Sequence, residues 1–285
     1  MTIDSGTPPT PHNPPQFSGL WIPLITPFQS NGSLDLPALE KLLHHYNALG
    51  IAGLVINGTT GEPSALSKAE QLTCLDLALA HQQDKRVIAG ISSYSLDAAL
   101  DAVQDLNQRS LAGILVSAPA YIRPSQAGLI DWFTRIANAS AHPIVVYDIP
   151  YRSGVALTRE TLLNLADHPN ICAIKDCGGD PGKTLALMQH GGLQVLAGED
   201  LQIFSSMAQG AKGAIAASAH LHTEQFLAMM QALEQSDLAK ARRYWQTLTP
   251  WIEAAFQAPN PAPVKAELAR QGKIQNVLRP PMQAC

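Results

Sequence analysis

The sequence predicts an α/β protein, a (β/α)8 TIM barrel with additional C-terminal helices. Short apolar runs begin at residues 19, 51, 86, 113, 143, 171, 194 and 213. The segments after them place apolar residues at helical spacing, and this alternation argues a parallel sheet. Eight such units in 285 residues argue closure, since a barrel of this kind takes about 250 residues. The alternative is an open Rossmann-like sheet. It is weakened because no G-x-G-x-x-G follows the first strand.

The elements follow in order. Gly19–Phe28 (GLWIPLITPF) reads as a strand ending in a Thr-Pro turn. Leu39, Leu42, Leu43 and Tyr46 mark a helix over Leu36–Leu49. Ile51–Asn57 is the second strand, with Gly58-Thr59-Thr60-Gly61 as its exit loop. Ser67 is placed to cap the next helix, with Glu70 three residues on completing a capping box. Arg86–Ser92, Gly113–Ser117 and Pro143–Ile149 are the third, fourth and fifth strands. Helices are expected at Ser95–Asn107, from Ser125 to about Ala139, and at Thr158–Ala166. Ile171–Asp176 is the sixth strand, Gln194–Gly198 the seventh and Gly213–Ser218 the eighth. Helices at Lys183–Gln189, Leu201–Gln209 and Thr223–Leu233 complete the barrel. Ser236–Phe256 and Val264–Gln271 add two more. Residues 1–17 are expected to be a disordered tail, 18–222 the barrel, and 223–285 the last barrel helix and a C-terminal extension.

Composition excludes several classes of function. Net charge is −4 with no basic run, which argues against nucleic acid. No apolar run approaches the length of a membrane span. Met1–Phe17 lacks the apolar core of a secretory signal. Cys74, Cys172, Cys177 and Cys285 form no CxxC pair, and free thiols suit a reducing cytoplasm. No metal is expected. There is no H-E-x-x-H, His44-His45 has no third ligand nearby in sequence, and no carboxylate at ligand spacing accompanies His220 and His222.

In a barrel the chemistry gathers where strands end at the C-terminal face. Lys175 closes the apolar run Ile171–Ile174, just before the Gly178-Gly179 break. An ammonium there must be paired, or it must lose its proton and become a nucleophile toward carbonyls. Its ordinary reading is a stem that snorkels to water. Thr59 and Thr60 offer hydroxyls and turned backbone amides to a small carboxylate, or simply cap a turn. Tyr121 and Tyr147 end the fourth and fifth strand regions and suit proton transfer to a carbinolamine, or fill core. Arg152 could clamp a second carboxylate or face solvent. Glu199 and Asp200 read as helix N-caps. A lysine, two tyrosines, two threonines and an arginine on one rim suggest Schiff-base carbonyl chemistry.

These residues resemble a family. The chain from about Gly19 to Met282 is similar to the dihydrodipicolinate synthase / N-acetylneuraminate lyase superfamily of lysine-dependent pyruvate aldolases. The resemblance rests on GTTGE (58–62), AYIRPSQ (120–126), YDIPYRSG (147–154), IKD (174–176), LAGED (196–200), GAIAASA (213–219) and NPAPVK (260–265). The arginine in YxxPxRxG and the NPxPVK segment point to the dihydrodipicolinate synthase branch. The resemblance implies a lyase that condenses pyruvate with L-aspartate 4-semialdehyde in lysine (diaminopimelate) biosynthesis. It casts Lys175 as the Schiff-base residue, Tyr147 as the proton shuttle, and Thr59 as its link to Tyr121 from a neighbouring subunit. Thr60 joins Thr59 in holding the pyruvate carboxylate, and Arg152 holds that of the aldehyde. Gly198 and Ile215 line the lysine pocket, Ile215 by its carbonyl. No external cofactor is implied, and the assembly is a homotetramer built from tight dimers.

The sequence departs from the family pattern at Ala120 and Asp148, where an aromatic and an asparagine are frequent. Lys68, Tyr94 and Ala98 stand where feedback-sensitive members carry histidine, asparagine and glutamate. Weak or absent inhibition by lysine is therefore expected. Two alternatives stay open. One is another pyruvate-dependent aldolase acting on a sugar acid or hydroxy-oxo acid. The other is a silent paralogue that binds a keto acid.

Overall fold

A computed structural model describes residues 17–82 and 86–285. Eight strands close into one barrel in sequence order, every neighbouring pair parallel. They are β1 Gly19–Pro23, β2 Gly53–Ile56, β3 Arg86–Ile91, β4 Gly113–Ser117, β5 Ile144–Asp148, β6 Ile171–Asp176, β7 Gln194–Ala197 and β8 Gly213–Ile215. The helices are α1 Leu36–Asn47, α2 Lys68–Ala80, α3 Leu96–Leu106, α4 Gln126–Ala139, α5 Pro150–Ser153, α6 Arg159–Ala166, α7 Pro181–His190, α8 Ile203–Gln209, α9 Thr223–Glu234, α10 Leu238–Ala255 and α11 Ala262–Arg270.

The apolar runs form strands because both faces are covered. Leu54, Ile114, Val146 and Ile174 pack outward beneath the helices. Trp21, Val55, Ile88, Leu115, Val145, Leu196 and Ile215 fill the inside. The barrel is thus a packed core rather than a pore. Phe17, assigned above to the tail, is fully buried in that inner layer. Its backbone N–H donates to Gln194 Oε1 at 2.7 Å. Residues 1–16 of that tail lie outside the described residues.

Capping follows the sequence. The Ser67 hydroxyl accepts from the Glu70 amide, and the Glu70 carboxylate accepts from the Ser67 amide, closing the capping box. Ser125 accepts from the Gly128 amide at the start of α4. Two boundaries differ for physical reasons. The first strand stops at Pro23 rather than Phe28, and Ile25 and Thr26 turn to other partners. The Ile25 amide donates to His220 Nε2 at 3.1 Å, and the Thr26 hydroxyl donates to Gly61 O at 2.7 Å. The last strand stops at Ile215, and Ser218–His220 forms a tight 3-10 turn instead.

His220, a residue that sequence alone left without a task, joins these segments. It is buried, its Nδ1 lies 2.8 Å from Ala217 O and its Nε2 accepts from Ile25. Burial pushes its pKa down to about 4, so the ring is neutral with the proton on Nδ1. Among the described residues no helix is long and apolar enough to cross a membrane.

Candidate active site

Lys175 is the last residue but one of β6, buried at 7% exposure. Tyr147 of β5 is its register partner, and the ammonium nitrogen lies 4.2 Å from the phenol ring centroid. This neighbouring is a direct consequence of the parallel ladder, which aligns the two strand ends. Space for the lysine comes from Gly198 at the end of β7. A Cβ there would lie 2.5 Å from Cys177 Sγ and 2.7 Å from Lys175 Cγ. The glycine is required by close approach, not by backbone conformation.

Burial holds the Tyr147 phenol well above its ordinary pKa, and the neighbouring Thr59 side chain opposes that rise. The phenol is therefore a neutral O–H at physiological pH. The Cys177 thiol, pushed up to about 12 by burial, stays protonated beside it. Thr59 begins a 3-10 turn over Thr59–Gly61 that leaves β2. Thr60 is buried, and its hydroxyl oxygen accepts from Asn260 Nδ2 at 3.0 Å.

These groups surround a cavity of about 350 Å³. Thr59, Thr60, Tyr147, Arg152, Lys175 and Gly198 all line it, joined by Tyr151, Asp200 and the loop Phe256–Asn260. Arg152 sits on α5, a single turn that sequence periodicity cannot reveal, and its side chain stands exposed at the rim. Two residues named above are not brought in. Ile215 is fully buried in the inner core and is absent from the lining. Tyr121 is 90% exposed with φ +73°, away from its own chain's cavity. A second space of about 510 Å³ shares Thr59, Tyr147 and Arg152 and contains Ala120 but not Tyr121.

Sequence reasoning missed Asn260 and misread Asp200. Asp200 is not a helix cap. Its carboxylate accepts from the Ser218 amide at 2.7 Å and from the Ser218 hydroxyl, tying β7 to the turn after β8. Burial raises its pKa, and the Ser218 hydrogen bonds oppose that rise. Glu199 does not cap with its side chain either; burial raises its pKa, and the neighbouring Asp200 adds to the effect. No local signal in the sequence separates these uses from capping, because both need only a carboxylate at a strand exit.

His44 does have company in space, although not in sequence. Glu40 Oε1 lies 4.0 Å from His44 Nε2 and 2.9 Å from His81 Nε2, and none of the three lines the cavity. His81 is also held by Leu77 O at 2.9 Å.

A buried amine facing an open cavity can add to a ketone. The neutral phenol beside it can give and take a proton, and the rim arginine can hold an anion. The model of the dihydrodipicolinate synthetase family matches residues 16–285. The chain belongs to this family. It is 34% identical over 271 residues to 4-hydroxy-tetrahydrodipicolinate synthase 2 of Clostridium acetobutylicum, covering 94% of each chain. It is 38% identical over 259 residues to the 4-hydroxy-tetrahydrodipicolinate synthase of an Exiguobacterium species, covering 90% of this chain and 88% of that one. A crystal structure of chloride-inhibited dihydrodipicolinate synthase from Acinetobacter baumannii, complexed with pyruvate, superposes with a TM-score of 0.91. It shares 29% identity and covers 94% of each chain.

Proposed function

We propose that the chain is a 4-hydroxy-tetrahydrodipicolinate synthase, a lyase condensing pyruvate with L-aspartate 4-semialdehyde in lysine biosynthesis. The observation that carries this reading is the single cavity uniting Lys175, Tyr147, Thr59, Thr60 and Arg152 in a chain of this family. The Lys175 amine adds to the pyruvate ketone, and loss of water leaves an iminium. Tyr147 supplies the proton for that water and accepts protons in turn, with Thr59 beside it as its relay. Thr59 and Thr60 hold the pyruvate carboxylate. Loss of a methyl proton gives an enamine, whose carbon attacks the aldehyde. The substrate amine then adds to the iminium carbon, closing the ring and expelling the Lys175 amine. Atoms balance with one water released. Arg152 holds the carboxylate of the aldehyde substrate at the rim. No cofactor is required, because the iminium is itself the electron sink.

Tyr121, turned away from its own cavity, suits donation to the site of a neighbouring subunit, as in a tight dimer within a homotetramer. The reaction belongs in the cytoplasm, where the free thiols Cys74, Cys172 and Cys177 stay reduced. The names of the relatives do not favour the sugar-acid alternative.

The deciding experiment incubates the purified protein with pyruvate and aspartate semialdehyde, coupled to dihydrodipicolinate reductase and NADPH. Turnover supports the reading. No turnover, with pyruvate still trapped on Lys175 by borohydride, turns it to another aldehyde. No trapping leaves the silent paralogue. Two further outcomes are expected. Gly198→Ala should slow borohydride trapping about 100-fold, because a displacement near 1 Å at the reacting nitrogen costs that much. Millimolar lysine should inhibit weakly or not at all. Lys68 and Ala98 line one cavity, and the Lys68 ammonium is taken up by Asp105 at 2.6 Å, so this lining offers a ligand neither the histidine nor the glutamate of feedback-sensitive members. Strong inhibition in a lysine titration would refute this.

A further inference from the structure

The turn carrying Thr59 and Thr60 is gripped from the far end of the chain. We propose that the buried ion pair of Glu62 and Lys265 is a positioning device for this turn, through which α11 aims both threonine hydroxyls into the cavity. The inference deepens the proposed function, on which its substrate rests. Neither Glu62 nor Lys265 lines the cavity, so neither is a catalytic residue.

Four observations meet here. Glu62 follows the turn directly and has φ +54°, a left-handed backbone that costs energy in a residue with a Cβ. Something must hold it there. Lys265, on α11, has 0% exposure and is ion-paired with the Glu62 carboxylate. Its Nζ also donates to Val277 O at 2.9 Å and lies 4.2 Å from the Phe28 ring centroid. The Glu62 carboxylate further accepts from the Arg279 amide at 3.3 Å. Two flanking ties act on the turn itself: Asn260 on the Thr60 hydroxyl, and Thr26 on Gly61 O. Since the Asn260 N–H occupies a lone pair of Thr60 Oγ1, the Thr60 proton is left to donate elsewhere, and Thr60 lines the cavity.

An apolar pair would serve stability at least as well as this ion pair, which loses two hydration shells on burial. What a charged pair adds is a defined geometry for one carboxylate. It explains why the GTTGE and NPAPVK segments occur together: two of the ties, Glu62 with Lys265 and Thr60 with Asn260, join a residue of one to a residue of the other.

The test compares Lys265→Met, Glu62→Gln with Lys265→Met, and Lys265→Arg with the wild type. Hydrogen exchange is read on the amides of Thr59–Gly61. KM and kcat for pyruvate and borohydride trapping are read on the same samples. Exchange in the turn should quicken about tenfold. KM for pyruvate should rise about tenfold, and kcat should fall with it, because Thr59 of the same turn also serves Tyr147. Lys265→Arg should restore most of the loss. Should Lys265→Met fail to fold, the uncharged double variant leaves no unpaired buried charge and carries the comparison. A folded variant with wild-type exchange in the turn overturns the proposal whatever the site binds. So does a fall in kcat at unchanged KM. If the wild type fails to trap pyruvate, the substrate reading falls, while the exchange measurement still decides the clamp.

Discussion

Lys175→Met is expected to leave no borohydride-stable pyruvate adduct and to lower kcat/KM by at least about 10⁴-fold. The change removes the nucleophile while keeping an unbranched side chain of similar length, so the space between Tyr147 and Gly198 stays filled. Lys175→Arg should fail equally. A guanidinium does not shed its proton in a protein and has no lone pair for a ketone. Circular dichroism matching the wild type would show that the loss is chemical. The measurement is intact mass after reduction, alongside the coupled assay. A full-sized adduct on Lys175→Met would move the Schiff base to another residue and remove the basis of the proposed function.

The largest effect on stability is expected one layer beneath the cavity. Asp148, at the end of β5, is ion-paired with Lys183 of α7, and both are buried. Asp148 Oδ1 also accepts from the Leu157 amide at 3.2 Å, and Lys183 donates to Leu157 O at 3.2 Å. A Cβ at Gly178 would lie 2.5 Å from Lys183 Nζ and 2.7 Å from Asp148 Oδ2, so the pair depends on that glycine. Lys183→Met strands a buried carboxylate. It should cost about 3–5 kcal/mol and lower the melting midpoint by roughly 10 °C. Adding Asp148→Asn should recover most of that loss, because the buried charge is then gone. Calorimetry on the four proteins of the cycle checks it. A double variant no more stable than Lys183→Met would mean that packing, not charge, governs the pair.

That pair also shows what a sequence conceals. Asp148 stands out there only as a departure from a frequent asparagine; its partner lies 35 residues away on the third helix that follows it. Charge compensation of this kind is invisible to local spacing. The strands were legible because burial on both faces leaves unbroken apolar runs such as Ile171–Ile174, and Ser67 with Glu70 announced α2 through chemistry confined to one turn. Lys175 and Tyr147 were legible as strand-end residues, and parallel register then placed them side by side. Arg152 was noticed, but the single turn of α5 that carries it was too short to show a period. Asn260 escaped because its partner, Thr60, is 200 residues distant. Asp200 was misread because a carboxylate after a strand serves equally well as a cap or as a long-range acceptor.

The grip of Arg279 on the opposite end of the chain has a consequence for biosynthesis. Arg279 donates to Gly32 O at 2.8 Å and Ala65 O at 2.8 Å, and it forks onto Glu70 at 2.9 and 2.6 Å. All eight strands have been translated by residue 215, yet Asn260, Lys265 and Arg279 are still to come. A nascent chain can therefore wind its sheet while the ribosome still holds the residues that finish the threonine turn. Contacts spanning 200 residues or more are also slow to form, because the entropy of closing so long a loop must be met first. The order of synthesis thus makes the finished threonine turn the last thing this polypeptide acquires.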